Sequence, residues 1–264
     1  EHKLYEPLFH KIQVDFGFQR AAWPKKYGGF ELDTVTYCLV MEELNRGDSG
    51  LATACDCVNW TFQPILAPYP NEYLIEKFAP LCCQSEKAYV GCAAITDERS
   101  GSDVENVEGT HGKYVATTAK LDGNEWVING HKLWPTNSGG IADMFAVFCT
   151  TNPGVADDDA MAIIYVPADT PGVTQGAPYH KAGMAGDLNG DVWFENVRVP
   201  KEYRAHQEPG LDAKTTKFFI CAGNVGAAAQ SIGVMLNVYE ILKRWVDTRV
   251  VGGKLLKEHS ITAS

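Results

Sequence analysis

The chain has 264 residues, of which 45% are hydrophobic and 21% are charged, the composition of an ordinary globular protein. A formal net charge of -10 argues against a general nucleic-acid binder, which needs a basic surface to meet the phosphates. No apolar run approaches the roughly 20 residues that cross a bilayer, so we expect no membrane span. The first residue is Glu1 and no signal-peptide pattern follows, so we expect a cytoplasmic protein whose natural N-terminus is missing.

Residues 1–88 are predicted to form an N-terminal helical domain whose turns are marked by Pro and Gly. Asp33 is a candidate N-cap for a helix through Leu44, because apolar residues recur after it at helical spacing. Asn71 is a candidate cap for a shorter helix that ends before Pro80. The eight cysteines lack the C-x-x-C spacing at which two thiolates share a metal. We expect buried, reduced thiols and no metal, with a metal or disulfide role as the alternative.

Residues 89–205 are predicted to form a middle β-domain. Residues 114–121 are β-prone, and the Asp122-Gly123 pair that follows is a strong hairpin signal. Further strands are predicted at residues 126–130, 144–150, 162–166 and 192–197. Several short strands joined by Gly and Pro turns favour an antiparallel sandwich or barrel.

Residues 206–264 are predicted to begin a C-terminal helical domain, so the fold class is α+β with several domains. No proline interrupts residues 212–248, which are rich in Gly and Ala. Each glycine weakens an isolated helix by about 1 kcal/mol, so a helix that keeps them must gain from close packing. One helix cannot bury itself, and we therefore expect a helical bundle that is incomplete in this chain.

Three local patterns are candidates for a ligand site. The hydroxyls and flexible backbone of Ser100-Gly101-Ser102 could hold a phosphate or the polar edge of a ring, although such clusters also make plain turns. Trp134 and Thr136 could place an indole and a hydroxyl against a planar ligand, although a core Trp beside a turn is the alternative. Arg249, with Lys254 and His259, could bind a pyrophosphate or could simply suit a helix C-terminus.

Taken in order, these segments resemble the acyl-CoA dehydrogenase family over nearly the whole chain. Residues 94–103 are similar to the family's Ala/Cys-x-Thr-Glu-Pro-x-Ala-Gly-Ser-Asp signature. Residues 122–137 resemble its Asp-Gly…Ile-Asn-Gly-x-Lys-x-Trp-Ile-Thr-Asn run, and residues 194–200 resemble the end of its β-domain. Residues 249–259 are close to its Arg-x-x-Phe-Gly-Lys-x-Leu-x-x-His/Gln motif. Five matches in the family's order, with an N-terminal one at residues 24–29, make the resemblance specific.

The resemblance implies an FAD cofactor between the β-domain and the C-terminal helices, and removal of hydrogen from the α and β carbons of an acyl-CoA. Thr136 is then expected to hydrogen-bond flavin N5, with Trp134 standing against the flavin. Arg249 is expected to bind the FAD pyrophosphate of a neighbouring subunit, in a homo-oligomer such as a dimer of dimers or in a heteromer. The implied cofactor residues are Ala93, Ile95, Thr96, Gly101, Ser102, Trp134, Pro135, Thr136, Arg249 and His259. The implied substrate residues are Ser102, Gly223 and Asn224.

Departures from the family pattern concern the catalytic base. The family uses a Glu, either from a late loop or from the first long C-terminal helix. Alignment without gaps backward from Arg249 puts the helix position at Gly223, and Asn224 replaces the Arg that usually follows. We therefore assign no catalytic residue and expect the Glu outside this sequence, in a chain truncated at both ends. Pro135 and the charged residues 97–99 also depart from the pattern, which suggests an altered mouth of the acyl site and an unusual substrate.

The resemblance further implies an electron-transfer flavoprotein or a similar acceptor as partner, and the mitochondrial matrix as location in a eukaryote. Two alternatives stay open. One is a non-catalytic or half-site subunit of a heteromeric acyl-CoA dehydrogenase. The other is a relative that keeps the flavin fold but changes the reaction, such as an acyl-CoA oxidase. The sequence does not predict which acyl group is bound.

Overall fold

The structure is a computed structural model that describes residues 4–102, 104, 115–155 and 157–260. The helices are α1 (Glu6–His10), α2 (Thr34–Gly47), α3 (Ser49–Leu66), α4 (Glu72–Cys83) and α5 (Leu211–Thr248). The strands are β1 (Gly91–Ala94), β2 (Thr118–Asp122), β3 (Glu125–Leu133), β4 (Met144–Thr150), β5 (Met161–Pro167), β6 (Val173–Gln175), β7 (Asp191–Pro200), β8 (Val250–Val251) and β9 (Lys254–Leu255). The predicted domain boundaries at 88 and 205 fall between α4 and β1 and between β7 and α5, and they stay predictions.

Both predicted helix caps are found. The Asp33 carboxylate accepts the N–H groups of Val35 and Thr36 at the start of α2. The Asn71 side chain accepts the N–H of Leu74 at the start of α4. The predicted end of α4 before Pro80 is wrong, because the helix continues to Cys83. A proline inside a helix removes one hydrogen bond, and the buried side chains on either side of Pro80 offset that loss by packing in the core.

Helix α3 lies at the centre of the molecule. Its N-cap is Asp48, whose carboxylate accepts the N–H of Leu51 at 2.7 Å, and most of its residues are buried. Strand β1 packs directly on α3, since a Cβ atom at Gly91 would lie 2.5 Å from Thr61 Oγ1. This close approach holds the start of β1 against α3.

The described strands β1 to β7 form one sheet with the order β1-β4-β2-β3-β7-β6, and β5 pairs with β4. Each predicted strand of the middle region is found, but the first was predicted to begin too early: β2 begins at Thr118, residues 115–117 are not in a strand, and Tyr114 lies outside the described residues. Most pairings are antiparallel, as predicted, whereas β4 runs parallel to β1 and to one residue of β2. The parallel pair places the end of β1 beside the middle of β4, inside the core. The predicted α+β fold class is confirmed.

Helix α5 confirms the long helix predicted at residues 212–248. It lies so close to α2 that a Cβ atom at Gly233 would be 2.1 Å from the carbonyl oxygen of Glu42. Within α5, an 18-residue window has a mean hydropathy of 1.5 and is 22% buried, so by length and composition alone this helix could cross a membrane. The expectation of no membrane span rests on the lack of an unbroken apolar run, and it stays a prediction.

Candidate functional site

A cavity of about 230 Å³ lies between α3, the end of β1, the segment after β3 and helix α5. We call it the α3–α5 pocket. Three residues predicted to form the site line it together: Ala93, Thr136 and Gly223. The other lining residues are Thr53, Asp56, Cys57, Trp60, Phe219, Ala227 and Gln230. Residues far apart in sequence therefore meet in one concave site, as ligand sites require.

The ends of β1 and β3 run side by side next to this pocket. The N–H of Leu133 donates to the carbonyl of Thr96 at 3.0 Å, so the segment with Ile95 and Thr96 lies beside Trp134. Trp134 has a φ of 59°, a left-handed conformation that costs free energy in a bulky residue and is common at functional sites. Its side chain is 55% exposed. The backbone thus presents an uncovered indole ring to a ligand.

Thr136 adds a hydroxyl that is only weakly engaged within the chain. Its Oγ1 lies 3.4 Å from Asp187 Oδ2, and Lys181 Nζ lies 3.1 Å from the same oxygen. Burial raises the pKa of Asp187, although the charge of Lys181 acts in the opposite direction. Asp187 Oδ1 is buried and has no hydrogen-bond partner in the described part of the chain. A ligand donor at this place would satisfy it.

Asp97 holds the loop after β1 in place. Its side chain is buried, and its two oxygens accept the backbone N–H groups of Arg99, Ser100, Ala116 and Thr117. Lys132 is fully buried and places Nζ 3.3 Å from Asp97 Oδ2. Burial alone would raise the pKa of Asp97, but the charge of Lys132 and the hydrogen bonds outweigh it and lower the pKa.

The charged residues 97–99 were expected to alter the mouth of an acyl site. That expectation was wrong for Asp97, whose carboxylate is turned into the protein to meet Lys132. Glu98 instead lies at the surface, with Oε1 2.8 Å from Nδ1 of His131. The segment therefore fixes the shape of the loop that leads to Gly101 and Ser102.

Asp56 is a pocket residue that sequence reasoning missed. The Tyr37 hydroxyl donates to its Oδ1, and Trp60 Nε1 donates to its Oδ2 at 2.6 Å. Burial raises the pKa of Asp56 to about 6, even though these hydrogen bonds act to lower it. A single Asp inside the apolar run of α3 was the available signal, but its meaning depends on which helices surround it.

The lack of a side chain at position 223 has a steric reason that the sequence did not reveal. A Cβ atom at this position would lie 2.8 Å from Cη2 and 3.0 Å from Cζ3 of Trp60. The indole is held there by an edge-to-face contact with Phe219, with ring centroids 4.9 Å apart. Trp60 thus occupies the space that a side chain at position 223 would need.

Comparison with known proteins identifies the family. Residues 1–86 match the N-terminal domain of acyl-CoA dehydrogenases, and residues 92–197 match the middle domain. The chain belongs to the acyl-CoA dehydrogenase family.

The relatives are longer than this chain. It is 27% identical to the mitochondrial short-chain specific acyl-CoA dehydrogenase of Homo sapiens over 252 residues, which are 94% of this chain and 58% of that protein. It is 28% identical to cyclohex-1-ene-1-carbonyl-CoA dehydrogenase of Geobacter metallireducens over 96% of this chain and 63% of that protein. Butyryl-CoA dehydrogenase from Megasphaera elsdenii superposes with a TM-score of 0.87 at 26% identity, covering 99% of this chain and 66% of that one.

Five other residues singled out by the family resemblance do not line the pocket: Gly101, Ser102, Asn224, Arg249 and His259. Asn224 is exposed and does not line it, and neither do Gly101 and Ser102. Arg249 lies 26 residues beyond Gly223, about 40 Å along α5 at 1.5 Å per residue. Its guanidinium stacks on Trp245, with 5.7 Å from Cζ to the ring centroid, and His259 Nε2 lies 2.9 Å from the Val251 carbonyl oxygen. One copy of the chain therefore does not bring these two groups to the pocket.

The cysteines are all free thiols, and five of the eight are buried. Cys221 is exposed, which the expectation of buried thiols did not foresee. Cys57 lines the α3–α5 pocket, and burial raises its pKa to about 12, so it is a neutral thiol at physiological pH. Among the described residues, no group of three or more His, Cys, Asp or Glu is arranged to hold a metal ion.

Proposed function

We propose that this chain forms the flavin-binding part of an FAD-dependent acyl-CoA dehydrogenase, which removes hydrogen from the α and β carbons of an acyl-CoA thioester. The observation that carries the proposal is the α3–α5 pocket, where Ala93, Thr136 and Gly223 meet. In the family resemblance these three positions belong to the flavin and to the reacting carbons. Their convergence in one cavity supports the same use here.

The residues around the pocket fit an FAD. The exposed indole of Trp134 offers a flat apolar face, and the weakly engaged hydroxyl of Thr136 can donate to a ring nitrogen. We call the flavin cradle the set of residues at the ends of β1 and β3 that would hold the flavin: Ala93, Ile95, Thr96, Trp134, Pro135 and Thr136. Bound FAD supplies the acceptor for the hydride that leaves the substrate.

The walls of the pocket suit a short acyl group. Trp60 and Phe219 are large and apolar, so they would exclude water from the reacting carbons. The volume of about 230 Å³ lies below the roughly 300–1,000 Å³ typical of sites for drug-sized ligands. The proposal includes an electron-transfer flavoprotein or similar acceptor, and an oligomer in which Arg249 serves the FAD of a neighbouring copy.

The test is an anaerobic titration of the purified full-length protein with butyryl-CoA, cyclohex-1-ene-1-carbonyl-CoA and longer acyl-CoAs. We expect bound flavin, and bleaching of its absorption by at least one acyl-CoA. Rapid oxygen consumption during turnover would instead indicate an oxidase. A full-length protein that purifies without flavin and cannot be reconstituted would refute the proposal.

The cradle is tested separately with Trp134→Ala. Loss of the indole removes a stacking surface worth about 1 kcal/mol or more, so the flavin should dissociate more readily. Tyr73→Ala is the matched control, because Tyr73 on α4 is 52% exposed and Trp134 is 55% exposed. Flavin content per chain after dialysis is the measurement. Equal loss in both variants would argue against a flavin at Trp134.

A further inference from the structure

We propose that Asp56 is the base of this enzyme, taking from the bound acyl group a proton that the thioester carbonyl has made acidic. The inference rests on the proposed function. It concerns a residue on α3 and replaces the expectation of a Glu outside this sequence, since the family resemblance places the base on a late loop beyond residue 264 or on α5; wild-type exchange without the Asp56 carboxylate would return the role to that Glu. Three observations carry it. Asp56 lines the pocket, hydrogen bonds hold its carboxylate there, and the position on α5 that could carry a base is Gly223, which has no side chain.

The position on α5 cannot carry a base in this chain. Gly223 has no side chain, and Trp60 fills the room beside it, with Cη2 only 2.8 Å from where a Cβ would stand. The same indole donates its Nε1–H to Asp56 Oδ2 at 2.6 Å. One residue of α3 therefore closes the position on α5 and holds a carboxylate in the same pocket.

The carboxylate of Asp56 accepts hydrogen bonds from side chains on three helices. Tyr37 on α2 donates its hydroxyl to Oδ1, while Trp60 on α3 donates to Oδ2. Gln230 on α5 lines the pocket and contributes a further hydrogen bond to Asp56. A base must be positioned before its pKa matters, and these donors hold both oxygens at the pocket wall.

The titratable groups around Asp56 do not neutralise it. Tyr37 faces it from α2, and Cys55 and Cys57 flank it on α3. Burial raises the pKa of all three above their ordinary values, so they stay neutral near pH 7. In the described part of the chain, no Lys, Arg or His forms an ion pair with Asp56. The pKa of about 6 suits a base that is ionised at neutral pH and still binds a proton.

The step balances as follows. A C–H bond of the acyl group breaks at the α carbon, or at the γ carbon of an α,β-unsaturated acyl group, and the proton goes to an Oδ atom of Asp56. After loss of the α proton, the electron pair of that bond would form the α,β C=C bond as a hydride leaves the β carbon for the FAD of the proposed function. After loss of the γ proton in a cyclic acyl group, the pair would form the β,γ C=C bond, the existing α,β pair would shift to join the α carbon to its other ring neighbour, and the hydride would leave that neighbour for the FAD. Asp56 then releases its proton to solvent when the product departs.

Another unpartnered polar group supports a polar ligand in this pocket. Thr53, one turn before Asp56 on α3, lines the cavity, and its buried Oγ1 has no hydrogen-bond partner in the described part of the chain. A hydroxyl left unpaired in a native protein costs free energy unless a ligand or water meets it. The substrate that Asp56 deprotonates would approach the same wall.

The decisive experiment compares the full-length, FAD-loaded protein with its Asp56→Asn variant. Proton removal is measured without turnover, as exchange of carbon-bound hydrogen for deuterium in D₂O. The flavin is reduced beforehand, and the probe is butyryl-CoA or cyclohex-1-ene-1-carbonyl-CoA. We expect exchange and flavin bleaching to fall by about 10²- to 10⁴-fold in the variant, the range of general-base catalysis. Flavin content and acyl-CoA binding should be unchanged.

Asp48→Asn is the matched control on the same helix. Asn caps a helix as well as Asp does, and Asp48 is exposed and outside the pocket. Wild-type exchange in Asp56→Asn would overturn the inference and leave the proposed function intact. A weaker acyl-CoA affinity with wild-type exchange at saturation would also overturn it, since Asp56 would then only select the substrate. A wild-type protein without flavin or acyl-CoA binding would instead refute the proposed function.

A second variant separates a base from a merely structural carboxylate. Trp60→Phe keeps a ring against Phe219 but removes the N–H that stabilises the ionised Asp56. The pKa of Asp56 should rise, so the acid limb of kcat/KM, expected near pH 6, should move to higher pH. An acid limb that stays in place would overturn the inference.

Discussion

Two buried aspartates, Asp97 in the loop after β1 and Asp56 in the α3–α5 pocket, have pKa values that are shifted in opposite directions from the ordinary value. The pKa of Asp97 is lowered, because the Lys132 cation and several backbone N–H groups face it. The pKa of Asp56 is raised to about 6, because burial is opposed only by uncharged donors such as Tyr37 and Trp60. The partners of a buried carboxylate, rather than burial itself, decide whether it stays charged.

The difference separates two uses of one residue type. Asp97 is an anion at all physiological pH values, and its hydrogen bonds shape the loop beside the flavin cradle. Asp56 can gain and lose a proton near neutral pH, at the wall of the cavity where substrate is expected. The first region serves structure and the second serves chemistry, and variants can test each assignment.

The largest effect is expected for Asp97→Asn. This change removes the carboxylate from the buried ion pair between Asp97 and Lys132, and breaking a buried ion pair costs about 3–5 kcal/mol of stability. Chemical denaturation at pH 7 measures the loss. Flavin retention should fall as well, because an Asn amide has one acceptor oxygen where the Asp97 carboxylate uses two to hold backbone N–H groups of the loop.

Glu98→Gln is the control for the loop. Glu98 is exposed and pairs with His131 at the surface, so its loss should change stability by less than about 1 kcal/mol. If Asp97→Asn were as mild as Glu98→Gln, Asp97 would not be the structural anion of this comparison.

The next largest effect is expected for Asp56→Asn. Its stability relative to wild type should increase with pH, whereas the stability lost in Asp97→Asn should not change with pH. A folded pKa of about 6 lies above the unfolded value of about 3.9, so wild-type stability falls as pH rises between these two values. The variant lacks this loss. Relative to wild type, it should gain stability from pH 4 to pH 7, by at most about 3 kcal/mol, since one pKa unit is worth about 1.4 kcal/mol.

Thermal unfolding across pH 4–8 checks this sign. For Asp97 the lowered pKa means that its stabilisation is present above about pH 4 and disappears only as pH falls further. The deficit of Asp97→Asn should therefore stay constant over the same range. A stability difference for Asp56→Asn that does not change with pH would contradict the raised pKa.

The smallest effect is expected for Gly223→Ala, which tests how firmly Trp60, a hydrogen-bond donor to Asp56, is packed against α5. The added methyl group would meet the Trp60 ring, and overpacking of this kind costs about 1–3 kcal/mol. Gly47→Ala on α2 is the control, because nothing lies within 4 Å of its Cβ position and Ala favours a helix over Gly by about 1 kcal/mol. Similar melting temperatures for the two variants would show that Trp60 moves freely.

Much of the fold could be predicted from the sequence because its signals are local. The caps Asp33 and Asn71, the hairpin at Asp122-Gly123 and the long helix after residue 211 follow from nearby residues alone. The helix through Pro80 was missed because buried neighbours overrode a local helix breaker.

The sequence by itself determined the family and the residue types of a flavin cradle, since Trp134 and Thr136 lie within one short motif. Only the tertiary structure placed Asp56 beside Gly223, 167 positions along the chain, and showed Trp60 filling the space between them. Only the packing of Lys132 against Asp97 showed that this carboxylate is structural. The physical reason is the same in each case: a side chain's protonation and steric room depend on neighbours that come from distant parts of the sequence.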